Sequence, residues 1–334
     1  MHTIRLSLRS VALSLGVVMI AACASTPAAS PILGSSTQSL SHIEQSPFGI
    51  AGADFRIPAL IAVNTKTGVL ESWPVSPVGG NNPRPISNPF GLNGSGGVAA
   101  DGHVVAITTY NPARVVVYNI DTKHMHRLPD PFGTPIDIAI DKNETLYALN
   151  IASGSSNVAM YPAGSSNPTE LTCAQLQIGE AIAADNEGDV FINGYPLMGT
   201  ANVFEIRHGR NHCNPVNNLN SEPGYVAGIA VDPKTDDLVV LDDPDLCAGG
   251  IEGRMTIYHK PYSKQTGKSV VIGQNCTGGM RLNADSSIVY AIDQDVSGSY
   301  TYILQRSYPD GRSMGAYFGG AAGGFTTIPN TLPN

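Results

Sequence analysis

Ile136-Asp-Ile-Ala-Ile-Asp141, a polar turn, then Leu146-Tyr-Ala-Leu-Asn150 decide the fold. Each flank is a short apolar run of strand length, rich in Ile, Leu and Tyr, and an aspartate opens the turn between them. The phrase recurs. Gly97-Val-Ala-Ala-Asp101 is followed by Val104-Val-Ala-Ile-Thr108, Ala181-Ile-Ala-Ala-Asp185 by Val190-Phe-Ile-Asn193, Gly228-Ile-Ala-Val-Asp232 by Leu238-Val-Val-Leu-Asp242, and Met280-Arg-Leu-Asn283 by Val289-Tyr-Ala-Ile-Asp293. The turn-opening residues 101, 141, 185, 232 and 283 are 40, 44, 47 and 51 apart. Further strand pairs fill the spaces, such as Arg114-Val-Val-Val-Tyr118 with His124-Met-His-Arg127, and Val158-Ala-Met-Tyr161.

A period of about 40–50 residues with four short strands per unit is the signature of propeller blades. Strands this short cannot bury both faces alone, whereas four-stranded sheets packed around an axis cover one another and leave few edges. An aspartate at each first turn can accept backbone N–H bonds, so its repetition needs no chemistry beyond turn formation. A sixth unit is split between the chain ends. Leu60-Ile-Ala-Val63 and Val69-Leu-Glu-Ser-Trp73 match outer strands, and Gly323-Gly-Phe-Thr-Thr327 matches the start of an inner one. The expectation is an all-β chain, a β-propeller of six four-stranded blades closed by pairing of N- and C-terminal strands. Seven blades is the alternative if Ser35–Phe55 hides a strand pair.

Pro135-Ile-Asp-Ile-Ala-Ile-Asp141, Leu146-Tyr-Ala-Leu-Asn150 and Asn157-Val-Ala-Met-Tyr161 together resemble the NHL repeat, and the chain resembles NHL-type and SMP-30-like six-bladed propellers over most of 57–326. The linking phrases Trp73-Pro-Val-Ser-Pro and Tyr161-Pro-Ala-Gly-Ser-Ser-Asn-Pro168 are similar to those of NHL-like proteins of bacterial envelopes. The resemblance implies a fold more than an activity, since propellers host enzymes, receptors and scaffolds alike.

The first 22 residues carry Arg5 and Arg9, then an uncharged stretch from Ser10 to Ala22, then Cys23. That stretch is shorter than the roughly 20 apolar residues of a membrane span. A basic start, an apolar middle and small residues before a cysteine resemble a bacterial lipoprotein signal peptide. The resemblance implies lipid on Cys23 and a membrane anchor through it. Ala24 in place of Asp after the cysteine implies, by likeness to Gram-negative lipoproteins, the outer membrane. The expected organisation is a signal peptide over 1–22, the lipidated cysteine and a flexible tether over 23–56, the propeller over 57–326 and a tail over 327–334. Low charge and many Ser, Ala, Pro and Gly mark the tether.

Loss of the two signal arginines moves the formal charge from -8 to -10, and charged residues make up only 14% of the chain. An acidic body without a basic footprint excludes nucleic acid as a partner. With Cys23 acylated, Cys173, Cys213, Cys247 and Cys276 remain, an even set that in an oxidising compartment predicts two disulfides. Sequence alone allows three pairings. Blade geometry pairs Cys247 with Cys276, because loops after a second strand and before the next first strand share one face of a propeller; Cys173 with Cys213 follows by elimination.

Four candidate ligand-binding residues end second strands: Asn150, Asn193, Asp242 and Asp293, which the propeller reading places toward one mouth of the channel. The plain alternative is that they start Asx turns. Asp293, Asp295 and Ser297, at alternate positions before Gly298, resemble the front of a calcium loop, although Leu304 stands where a bidentate Glu belongs. His124 with His126, and His208 with His212 and Cys213, are weaker metal candidates. There is no HExxH and no complete P-loop. Likeness to the SMP-30 enzymes implies a channel metal held by carboxylate and amide oxygens; their acidic ligand near the chain start has no match, since Glu71 falls in an outer strand. The expected role is a non-enzymatic binding or scaffold propeller with a protein, peptide or glycan partner, and the alternative is an SMP-30-like metal-dependent hydrolase or lactonase.

Overall fold

The computed structural model describes residues 59–64, 69–74, 79–80, 84–86, 95–101, 103–122, 124–216, 219, 225–243, 253–262, 264–265, 269–273, 276–294, 301–319 and 322–328. Residues 1–22, Cys23 and the tether lie outside that set, as do Cys247, Asp295 and Ser297. The described residues form six antiparallel sheets and no helix.

Blade 1 joins the chain ends. Its inner strand is Ala322–Ile328, which pairs with Ala59–Asn64, followed outward by Val69–Pro74 and Arg84–Ile86. Blades 2 to 6 then follow in order, each beginning at the hub, with inner strands Ser95–Ala100, Thr134–Ile140, Leu176–Ala184, Tyr225–Val231 and Cys276–Leu282. The seven-blade alternative has no counterpart in these sheets. A second closure lies at the rim, where Gly79–Gly80 runs parallel to Ala316 and Tyr317 on the outer strand of blade 6. The inner strand of blade 1 takes in Thr327 and Ile328.

The hydrophobic core is divided among the joints between blades. Ile61, Val63 and Leu70 of blade 1 meet Val98, Val105 and Tyr118 of blade 2. Similar layers lie between blades 2 and 3, 3 and 4, 4 and 5, and 5 and 6. The sixth, between blades 6 and 1, holds Leu60, Trp73, Tyr290, Ile303, Tyr317 and Phe325. Each sheet hides both faces against neighbours, which is why strands of 2 to 9 residues suffice here.

The first turns behave as their sequence dictates. Asp141 Oδ1 accepts the amides of Asn143 (2.8 Å) and Thr145 (3.0 Å), and Asp185 Oδ1 those of Glu187 (2.9 Å) and Asp189 (2.8 Å). Asp101 and Asn283 do the same in their turns. Neighbouring turns are tied together: Asn186 donates to Asp236 at 2.8 Å, Lys260 to Asp185 at 3.0 Å and Glu187 at 2.8 Å, and Ser286 to Asp232.

Near the axis the blades close up until only glycine fits. A Cβ on Gly97 would lie 2.2 Å from Asp137 Oδ1 and 2.5 Å from its Cα, and one on Gly324 would lie 2.7 Å from the Gly97 Cα. Farther out, Cys173 and Cys213 are bonded, with Cα atoms 5.0 Å apart, beside a bridge between Thr172 and His212 that links blades 3 and 4. This disulfide uses the Cys213 sulfur, so the expected His208–His212–Cys213 metal cluster does not form. The Cys247–Cys276 pairing lies outside the described residues, since Cys247 and the Cys276 side chain are not among them.

Candidate functional site in the hub

Two positions on the inner strands of blades 2 to 6 set the width of the hub. Two residues before the turn-opening residue stand Ala99, Ala139, Ala183, Ala230 and Arg281. Four residues before it stand Gly97, Asp137, Ala181, Gly228 and Gly279. Small side chains are required where six strands converge, so Arg281 and Asp137 are the exceptions. They come from blades 6 and 3, three places apart in a ring of six. Arg281 reaches across the axis, and its Nη2 donates to Asp137 Oδ1 at 2.9 Å. Arg281 Nη1 also donates to the Met280 carbonyl at 3.0 Å, and Asp137 Oδ2 accepts the Ile182 amide of blade 4 at 3.0 Å. The two side chains are 18% and 10% exposed, so the pair is largely withdrawn from water.

The bridge separates two cavities. On the side of the first turns is one of about 290 Å³, walled by alanines and isoleucines of the inner strands, with Arg281 at its floor and Asp141 and Asp185 among its polar lining. On the other side is one of about 130 Å³, lined by Ile136, Ala227, Met280, Phe325, Asp137 and Glu180 among others. Tyr195 borders on Glu180. Burial, with the Glu180 carboxylate adding, pushes its hydroxyl up to about 12.

The four residues expected at a channel mouth are all buried but do not share one register. Opposite the ends of the inner strands stand Leu146, Val190, Leu238 and Val289. Asn150, Asp242 and Asp293 come four residues later, and Asn193 three, so Asn193 projects from the other face of its blade. Its Nδ2 donates to the Val226 carbonyl of blade 5 at 2.6 Å, while Asn150 Nδ2 donates to Asp130 Oδ1 at 3.2 Å. Asp242 faces Arg254 at 3.8 Å. Asp293 lies near Arg306, whose guanidinium is shifted down by burial against the opposing pull of that carboxylate. None of the four lines either hub cavity.

Arg281 and Asp137 are the residues that reading the sequence missed. The signal was present: an arginine interrupts a position held by alanine in four repeats. Asp185, Glu187 and Asp189 form a further oxygen cluster at the edge of the larger cavity, where Lys260 pairs with Asp185 and Glu187.

The architecture is that of a six-bladed propeller. No protein-family model and no curated protein matches this chain. Among solved structures it is similar to a chain of a nidogen/laminin complex, with a TM-score of 0.60 and 14% identity over 82% of this chain and 99% of that one. It is also similar to XC5397 from Xanthomonas campestris, a gluconolactonase important in glucose secondary metabolic pathways, with a TM-score of 0.51 and 11% identity over 81% of this chain and 87% of that one. At such identities the likeness establishes the fold alone.

Proposed function

We propose that this chain is a non-enzymatic binding propeller, anchored to the outer membrane through lipid on Cys23, that presents its face to a protein, peptide or glycan. The observation that carries the reading is the Arg281–Asp137 bridge across the hub. A lactonase of the SMP-30 kind needs a channel metal with several oxygen ligands, and a hard cation takes about six to eight of them. In the smaller cavity the described side chains that bear oxygen are Asp137 and Glu180, and Asp137 is held by Arg281 and the Ile182 amide. That donor set does not fit the metal. In the larger cavity the carboxylates of Asp101, Asp141, Asp185 and Asp236 are engaged by turn amides, Lys260 and Asn186, and the walls between them are alanine and isoleucine, which suits an inserted side chain of a partner better than an ion.

The test is lactone hydrolysis by the soluble body, residues 24–334, with calcium, manganese and zinc each in excess. The expected result is no turnover above the uncatalysed rate. Metal-dependent turnover that disappears in Glu180→Gln or Asp242→Ala overturns the reading in favour of the hydrolase. Cys23→Ser in the full chain is expected to move the protein to the soluble fraction; unchanged membrane attachment contradicts the anchor.

A further inference from the structure

The connection between blades 2 and 3 carries a polar cluster that neither the hub nor the fold explains. Asp130 is buried, and its Oδ1 accepts the Phe132 amide at 3.1 Å and Asn150 Nδ2 at 3.2 Å. Asn157 stands directly opposite Asn150 on the next strand, so the two side chains share a face. Asn157 Nδ2 donates to the Phe132 carbonyl at 3.1 Å and to Glu170 Oε1 at 2.9 Å. The contacts close a circuit through Asp130, Asn150, Asn157 and Phe132.

Within that circuit three buried oxygens have no hydrogen-bond donor: Asp130 Oδ2, Asn150 Oδ1 and Asn157 Oδ1. Asn150 is wholly buried and Asn157 is 6% exposed. A buried acceptor without a donor costs about 1–3 kcal/mol, so three together need a common explanation. Turning either amide end for end does not remove the deficit. The Asn150 oxygen would then face the Asp130 carboxylate, and the Asn157 oxygen would face the Phe132 carbonyl and Glu170. Oxygens so placed need a cation between them.

We propose that Asp130, Asn150, Asn157, the Phe132 carbonyl and Glu170 form a calcium site between the blade 2–3 connection and the middle strands of blade 3. With both Asp130 oxygens these groups offer six oxygens, within the range of about six to eight that calcium takes. With both amides turned so that their oxygens take the places of Asn150 Nδ2 and Asn157 Nδ2, those oxygens stand 2.9–3.2 Å from Asp130, the Phe132 carbonyl and Glu170, the spacing of two oxygens about 2.4 Å from one ion and about 75–90° apart as seen from it. Asp130 and Glu170 together supply two negative charges for a divalent ion, and Glu170 is exposed, which gives a route in from solvent. Burial holds the Asp130 carboxyl above its ordinary value, with the Phe132 amide, Asn150 and Tyr161 opposing; the Tyr161 proton goes to the Pro129 carbonyl at 3.0 Å. The site lies apart from the hub and does not depend on the hub's function.

The experiment is calorimetric titration of the EDTA-treated soluble body with calcium chloride, beside thermal melts with and without calcium. The wild type is expected to take up calcium at this site and to melt higher with it. Asp130→Asn should abolish that uptake, and Glu170→Gln, at an exposed position that leaves folding intact, should weaken it by about tenfold. If Asp130→Asn fails to fold, Glu170→Gln decides. No uptake by the wild type overturns the proposal, as does uptake unchanged in Glu170→Gln, which would place the ion elsewhere.

Discussion

Removing one member of the hub bridge should unsettle the whole ring. Asp137→Ala leaves Arg281 without its carboxylate in a site where its side chain is 18% exposed, and it orphans the Ile182 amide. Breaking a buried ion pair from one side costs about 3–5 kcal/mol, and the lost amide bond is part of that sum, since one carboxylate serves both donors. Arg281→Met leaves Asp137 with the Ile182 amide alone and should fall at the lower end of that range, about 3 kcal/mol. The double variant removes both charges of the bridge together and leaves neither partner unpaired. It should therefore cost less than the sum of the singles by about 2–3 kcal/mol. Equilibrium urea unfolding followed by Trp73 fluorescence reads this directly, because Trp73 is the single tryptophan and is buried in the joint between blades 6 and 1. Single effects that add to within about 0.5 kcal/mol would refute the reasoning, since uncoupled residues cannot form the bridge described.

The Cys173–Cys213 disulfide, which joins residues 40 apart, should contribute about 4 kcal/mol by the loop-closure relation; reduction that leaves the urea midpoint unchanged would contradict this. Gly97→Ala should cost about 1–3 kcal/mol, because its Cβ meets the Asp137 backbone of the next blade and no rotamer relieves it; an unchanged midpoint would mean that the inner strands are not so close. The burial-raised Asp130 carboxyl sets a pH dependence in the absence of calcium. Between its ordinary value of 3.8 and its raised folded value the native state holds more protons than the unfolded one, so stability falls as pH rises through that window. Asp130→Asn should match the wild type below the window and exceed it above, as melts across pH would show; parallel curves would contradict the burial of the charge.

The repeat was legible because turn formation and blade packing leave a mark in every unit. The aspartates at 101, 141, 185 and 232 hold their turns, and the apolar pairs beside them fill the joints between blades. The split blade was legible for the same reason, since Gly323 to Thr327 copies an inner strand whose partner lies at the other end of the chain. The site was less legible. The pairing of first and second strands shifts register between Leu149 and Asn150 in blade 3 and between Gly179 and Ala181 in blade 4, and no residue type announces such a shift. Counting along second strands therefore grouped Asn193 with Asn150 although the two project from opposite faces. Arg281 and Asp137 are 144 residues apart and meet only because opposite blades face one another across the axis. Asp130, between Pro129 and Pro131, carries no repeat signal in the sequence, and only the fold sets Asn150 against it.

The measurement closest to the central claim is native-state hydrogen exchange of the amides in Ala322–Ile328. If this strand locks the ring by pairing with Ala59–Asn64, its central amides should open only with global unfolding and at the same free energy as those of the partner strand. Exchange there at rates near those of an unstructured peptide, while blades 2 to 5 stay protected, would contradict the closed ring.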